Sequence, residues 1–297
     1  AYLMRQMQLL KGPIPADDAA SLLLWGEDGA AVDCARGDFD YTLPGGRAEV
    51  IRRAPWFLVL SAFTAQVIQR RWIQDRQNFV SVFRDGTGLI AGGGNTKLQP
   101  SWSNFTVGDE SLLERRPGDE DPVFIPPLGL HHVPEAARLL DDGRPGVELV
   151  YSDRDGGKHR GRIRLQIVNR DRLRYTLEGD SAMAAHFTIL PRMGQPVKTA
   201  VGQTADLGAT PFHWQPGAWI EHAGVRFPLP PGTTARWPVL PHDPYTKDGH
   251  AEPEEGRLVI DLPAAGEHTI EIEIRAREAG AAQSNSVRST YRTGYSR

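Results

Sequence analysis

From about residue 30 to residue 275 the chain is written in short runs that alternate apolar and polar residues, with glycine or proline between most of them. Thr269-Ile270-Glu271-Ile272-Glu273-Ile274 is the cleanest of these runs. Successive side chains in a strand point to opposite faces, so this run buries its isoleucines on one face and wets its glutamates on the other. A helix needs apolar residues three and four apart and tolerates few glycines or prolines, so the pattern points to antiparallel sheet. The 31 glycines and 23 prolines in 297 residues supply enough turns to connect many short strands.

The alternation predicts strands over residues 48–52, 56–60, 79–83, 88–91, 147–151, 162–168, 172–178, 184–190, 219–222, 225–229, 257–262 and 269–275. Residues 56–60 are apolar enough to be buried on both faces. Residues 79–83 and 88–91 form a hairpin about Asp85-Gly86, and residues 147–151 pair with 162–168 across Asp153-Arg154-Asp155-Gly156-Gly157. So many strands with so little helix specify an all-β fold, a large antiparallel β-sandwich. Residues 191–216 and the proline-rich residues 228–244 read as long loops, the kind of segment that carries binding on a rigid scaffold.

Only the amino end is helical in pattern. Leu3, Met4, Met7 and Leu10 keep a three-to-four spacing until Gly12-Pro13 stops it, and a second short helix follows from Pro15 to about Trp25. The expected organisation is therefore short helices in residues 1–28, the sandwich in residues 29–277 and an irregular tail in residues 278–297. Ala1-Tyr2-Leu3-Met4-Arg5 has neither an initiator Met nor a signal-peptide pattern, a start that processing or a piece of a longer polypeptide would each explain, the piece being the reading taken. A hydrophobic fraction of 40% and a charged fraction of 24% allow an ordinary core. The net charge of −3 gives no reason to expect nucleic acid or an anionic membrane as a partner, yet leaves room for local basic patches that bind an acidic glycan. No apolar run approaches the roughly 20 residues that span a bilayer. Cys34 is the single cysteine and so excludes an intrachain disulfide.

One stretch carries a resemblance. Arg71-Trp72-Ile73-Gln74-Asp75-Arg76-Gln77-Asn78-Phe79 leads into an alternating strand, a turn at Asp85-Gly86, a second strand and the run Gly92-Gly93-Gly94-Asn95. This order is similar to the start of the C-terminal β-sandwich of heparinase II/III-like polysaccharide lyases, which opens on His-x-His-x-Asp-x-x-x-Phe. Asp75 and Phe79 stand at the matching places, whereas Arg71 and Ile73 occupy the two histidine positions. The resemblance implies a carbohydrate-associated sandwich with a preceding helical toroid, as part of the same protein or as a partner chain, in a periplasmic or secreted bacterial protein. It further implies β-elimination on uronates, which needs a base at the acidic C5 proton and cationic groups about the carboxylate. Arginine stays protonated and isoleucine has no acid–base function, so Arg71 and Ile73 remove the motif's catalytic base.

The remaining candidates each have a structural alternative. Arg71 and Arg76 can clamp a carboxylate or sulfate, or pair with Asp75 or Asp85. Asn95 and Lys97 after the glycine run can face a sugar, or the glycines can simply allow a tight bend or the close approach of another backbone. Trp72 and Trp102 can stack on sugar rings, or pack in the core. His242-Asp243-Pro244-Tyr245 offers Tyr245 and His242 as acid–base groups, or a polar turn. Asn104-Phe105-Thr106 fits a glycosylation acceptor pattern. His213, His222, His242 and His250 lack the tight spacing of a zinc motif, so no metal or other cofactor is assigned, a structural metal being the one possibility. There is no Gly-x-Ser-x-Gly elbow, and nothing marks two carboxylates as a glycosidase pair. Three readings of function stand side by side: a lyase-like protein acting on or binding acidic polysaccharide or oligosaccharide, a non-catalytic glycan-binding or interaction module, and a glycoside hydrolase on the same scaffold.

Overall fold

The computed structural model describes residues 37–64, 78–92, 99–108, 130–153, 155–241, 243, 246, 249–263 and 266–275. The chain divides into two compact units, Ala1–Asp38 and Phe39–Arg297, and every described strand lies in the second. The expected helices of residues 1–28, Cys34 and the tail of residues 278–297 lie outside the described residues.

The strands in chain order are β1 (Phe39–Thr42), β2 (Ala48–Arg53), β3 (Trp56–Ser61), β4 (Val80–Arg84), β5 (Gly88–Ala91), β6 (Phe105–Gly108), β7 (Leu130–His131), β8 (Ala136–Leu139), β9 (Gly146–Ser152) and β10 (Lys158–Asn169). They continue as β11 (Arg172–Gly179), β12 (Met183–Ile189), β13 (Pro196–Thr199), β14 (Thr204–Asp206), β15 (Phe212–Trp214), β16 (Trp219–His222), β17 (Val225–Pro228), β18 (Thr234–Val239), β19 (Arg257–Asp261) and β20 (Gly266–Ile274). They form an 11-stranded sheet in the order β1-β2-β3-β4-β5-β12-β19-β18-β15, with β6 and β7 branching from β12. A second, 9-stranded sheet runs β14-β13-β16-β17-β20-β11-β10-β9-β8. The molecule is an all-β antiparallel sandwich, as the alternation requires, and both expected hairpins form, β4 with β5 and β9 with β10.

The two layers meet through aromatic side chains. Phe187 of β12 stands edge-on to Tyr175 of β11 at 5.0 Å and tilts against Phe227 of β17 at 5.8 Å. Phe105 of β6 meets Tyr151 of β9 at 6.4 Å. Such pairs add about 0.5–1.5 kcal/mol each beyond the area they bury. Phe105 needs more room than a regular face leaves, and two glycines supply it. Gly161 and Gly179 lie opposite each other on β10 and β11. A Cβ on Gly161 would come within 2.6 Å of the Phe105 ring, and one on Gly179 within 3.3 Å. Polar groups also cross the gap: Trp56 Nε1 donates to the Asn169 carbonyl at 2.9 Å, and Asn104 Nδ2 donates to the Tyr175 hydroxyl at 3.1 Å.

The outer face of the second sheet is a ladder of opposite charges set by register. Glu148 lies opposite Arg162, Arg162 opposite Glu178, Arg174 opposite Glu271 and Arg172 opposite Glu273. Each such pair contributes only about 0.2–1 kcal/mol, but together they leave this face close to neutral.

Three expectations need correction. Strand β3 is not buried on both faces, because Phe57 and Val59 are only half-buried. Phe57 makes an outer aromatic row with Phe39 and Phe83 at 6.4 and 5.9 Å. Residues 191–216 are not one loop, since β13, β14 and β15 fall within them. The proline-rich residues 228–244 contain β18, whose Pro238, which has no N–H to give, sits where the β18–β19 register breaks between Arg236 and Val239.

This packing sets the stability of three variants. Gly161→Ala lowers unfolding stability by about 1–3 kcal/mol in chemical denaturation, the range for overpacking. Gly208→Ala, where the added methyl meets only the Asp206 carbonyl at 4.0 Å, serves as a control and changes little. Tyr151→Phe leaves stability unchanged or raises it, because the Tyr151 hydroxyl is buried with no hydrogen-bond partner. Tyr175→Phe costs about 1–3 kcal/mol in the same assay, because it strands the buried Asn104 amide.

Candidate functional site

Trp102 is the one sequence-predicted site residue inside the described set. Arg71, Trp72, Arg76, Asn95, Lys97, His242 and Tyr245 lie outside it. Trp102 is 2% exposed, donates Nε1–H to the Val239 carbonyl at 3.1 Å and has the Arg257 guanidinium over its ring at 4.8 Å. The face a sugar would stack on is thus occupied by an arginine. Asp85, considered as a partner for Arg71 or Arg76, accepts two hydrogen bonds from Arg52 at 3.1 and 2.7 Å. Gly92, which opens the glycine run, has φ of 85°, and a Cβ there would sit 2.1 Å from the Val80 carbonyl, so its role is close backbone approach. Asn104 is 2% exposed, accepts from the Phe79 N–H and donates to Tyr175, so the glycosylation pattern is closed in the folded chain.

A buried polar network went unseen in the sequence. His186 Nε2 lies 3.0 Å from Thr106 Oγ1, and Nδ1 lies 2.8 Å from Asp261 Oδ1. Arg236 clamps both oxygens of Asp261 at 2.5 and 2.7 Å. Burial alone would raise the Asp261 carboxyl, but the hydrogen bonds from His186 and Arg236 hold it well below the usual carboxylate range. The order hydroxyl, imidazole, carboxylate is the one that activates a nucleophile. With Thr106 at 1% and His186 at 2% exposure, no substrate reaches it, and its role is to tie β6, β12, β19 and β18 together. Elsewhere His159 Nε2 pairs with Asp153 at 2.8 Å, while His131 Nε2 is buried without a partner. Among the described residues no group of three or more His, Cys, Asp or Glu is arranged to hold a metal ion.

Two kinds of concavity are open. A broad cleft of about 830 Å³ has an apolar floor that includes Ile51, Leu58 and Leu165. Its rim sets Asp40, Glu49 and Asp141 against Arg53 and Arg144. Burial, reinforced by the charge of Asp40, raises the Glu49 carboxyl. A rim with more carboxylates than guanidinium groups does not attract an anion.

The second, of about 360 Å³, lies where the β4–β5 turn, the link from β12 to β13, the β16–β17 turn and the end of β20 converge. Among the described residues that line it are Arg84, Arg192 and Arg275, with no Asp or Glu. Arg192 is fixed without a carboxylate: Nη2 donates to the Thr87 and Leu89 carbonyls at 3.1 and 3.0 Å, and its backbone N–H donates to His222 Nε2 at 2.8 Å. Gly88, between those two carbonyls, has φ of 81° and lacks the Cβ that would press on Arg192 Nη2 at 3.3 Å. Arg84 is shared with Asp171 at 2.7 Å and lies over Trp56. Arg275, exposed, is placed by its N–H bond to the Gly224 carbonyl at 2.9 Å. In a chain of net charge −3 this end of the sandwich concentrates positive charge. Guanidinium forks suit planar or tetrahedral oxyanions, which they bind through paired N–H groups. Among the described residues no helix is long and apolar enough to cross a membrane.

His222 sets a pH limit on this site. Because Nε2 accepts from a backbone N–H, the proton sits on Nδ1, which donates to the Pro196 carbonyl at 3.2 Å, and the ring is neutral. Burial first, and the charge of Arg192 second, lower its pKa from 6.5. The unfolded chain therefore binds the extra proton more readily. The His222 contribution is full above about pH 6.5, the ordinary imidazole value, and is lost as pH falls from there through the lowered folded value. His222→Gln, which keeps one acceptor and one donor, flattens the stability–pH curve below that point when thermal unfolding is followed across pH. No protein-family model matches this chain, and no curated protein matches it either.

Proposed function

We propose that this chain is the β-sandwich of a carbohydrate-associated protein and binds acidic polysaccharide at the arginine-lined end pocket. The observation that carries the reading is Arg192, a guanidinium fixed by backbone carbonyls and facing a cavity whose described lining holds no carboxylate. Fixing it on carbonyls rather than on an acid keeps its charge uncompensated while removing most of its rotamer freedom. A uronate carboxylate or a sulfate ester then meets a preorganised donor. The similarity of the segment around Asp75 and Phe79 to heparinase II/III-like sandwiches supports a glycan as the source of that anion.

The pocket favours binding over elimination. A base must accept the C5 proton, and the one imidazole among the described lining, His222, has its free nitrogen filled by the Arg192 N–H. Expected on titration with alginate or heparin oligosaccharides is measurable binding with no rise in the ultraviolet absorbance that marks an unsaturated uronate. Arg192→Ala weakens the binding by about 10- to 100-fold, the loss of a charge-assisted hydrogen bond of about 1.5–3 kcal/mol. Absence of binding to any uronate or sulfated glycan sinks this reading, and a rise in absorbance from the chain alone restores the lyase reading.

A further inference from the structure

The arginine pocket does not end at Arg275. A second concavity of about 430 Å³ shares Ile274 and Arg275 with it and is otherwise lined by Asn169, Arg170, Asp171, Arg172 and Glu273. Its carboxylates are committed: Asp171 accepts from Arg84 at 2.7 Å, and Glu273 accepts from Arg172 at 3.1 Å. Arg170 is exposed, and its carbonyl accepts from Arg84 Nε at 3.5 Å, which places the residue beside the first pocket. Neither Arg170 nor Arg275 has an ion pair among the described residues. Uncompensated guanidinium groups thus follow one another from Arg192 through Arg275 to Arg170, across two adjoining hollows with Arg275 as their common wall.

We infer that the two hollows are successive subsites for a polyanion, so that the site selects a glycan carrying repeated acid groups over a single oxyanion. This rests on the acidic-glycan reading above and goes further by assigning the ligand's valence and the residues that read it. A first anionic group is held by Arg192 and Arg275; the next group along the same chain reaches Arg170 across the shared wall. Once the first group is bound, the second binds at the high effective concentration of a short tether, a gain that can reach about 100-fold or more without any change in the first contact. A nucleic acid strand is also a polyanion, but single-strand sites combine positive charge with exposed aromatic platforms. The described aromatic in this lining, Phe227, is buried at 1% exposure.

The test compares glucuronic acid with alginate oligosaccharides of increasing length by calorimetry, on the chain as it stands and on three variants. Inorganic sulfate and a single-stranded oligonucleotide matched in charge to the longer alginate serve as further probes. Arg192→Ala is expected to weaken monomer and oligomer alike. Arg275→Ala weakens the monomer and removes the advantage of length. Arg170→Ala leaves the monomer unchanged and weakens the oligomer by about tenfold or more. If monomer and oligomer both bind and Arg170→Ala changes neither or both equally, the two-subsite inference fails while the glycan reading stands. If neither binds the unaltered chain, both fail. Sulfate binding as tightly as the oligomer overturns selection for valence, and tighter binding of the oligonucleotide overturns the choice of a glycan. Arg170 and Arg275 are exposed, so loss of fold does not confound these variants.

Discussion

The sandwich depends on one fit, the Phe105 ring in the space left by the opposed glycines Gly161 and Gly179. Any side chain at Gly161 would meet the ring at 2.6 Å, so the ring can lie against β10 only because that position lacks a Cβ, while a Cβ at Gly179 would crowd it less, at 3.3 Å. The residue before Phe105 extends the same junction: Asn104 Oδ1 accepts from the Phe79 N–H just before β4, and its Nδ2 donates a hydrogen bond to the Tyr175 hydroxyl in the other layer. The residue after it, Thr106, leads into the network of His186, Asp261 and Arg236. Three consecutive residues therefore lock the packing between layers and the order of strands within one of them.

Charge is distributed by a different rule. On the face of the second sheet, register sets arginine opposite glutamate across successive strands and cancels most of the field there. At the end of the sandwich the strands run out, and the cross-strand partners run out with them. The Arg192 guanidinium meets the Thr87 and Leu89 carbonyls, and Arg275 leaves β20 with its backbone N–H on the Gly224 carbonyl. Carbonyls fix a guanidinium in place but do not neutralise it. That asymmetry leaves the described lining of the end pocket with arginines and no carboxylate, whereas the larger cleft is rimmed by acids.

Strands with alternating burial were legible in the sequence, and β10, β11, β16 and β20 fall within a few residues of their expected positions because the core demands one face. The strands that escaped notice have other reasons to exist. β13, β14 and β15 are three or four residues long, too short to show a period, and are held by pairing to neighbours. β18 carries a proline that reads as a breaker until the register shift beside it is known. Trp102 could stack on a sugar or pack in the core by its sequence alone, and the structure packs it: its polar neighbours Ser101, Ser103 and Asn104 are themselves buried in a turn against β18 and β19. Here the Asn104 amide and the backbone N–H groups of Ser101 and Ser103 find partners, while the two serine hydroxyls are buried without one, so polarity of the segment does not set its exposure.

The sequence by itself determined the class of fold, the presence of an ordinary core, and the exclusion of a disulfide within this chain, all of which depend on composition and on a period of two. The segment around Asp75 and Phe79 adds a resemblance from which an acidic glycan is an expectation, with Arg71 and Ile73 at the positions of that motif's histidines. Only the tertiary structure decided where positive charge collects. Arg84, Arg170, Arg192 and Arg275 stand in four separate stretches of the chain, and nothing local distinguishes them from the arginines that the sheet pairs with glutamates. Whether an arginine is neutralised depends on which residue faces it across a strand or a turn, and that is settled by pairing partners distant in sequence.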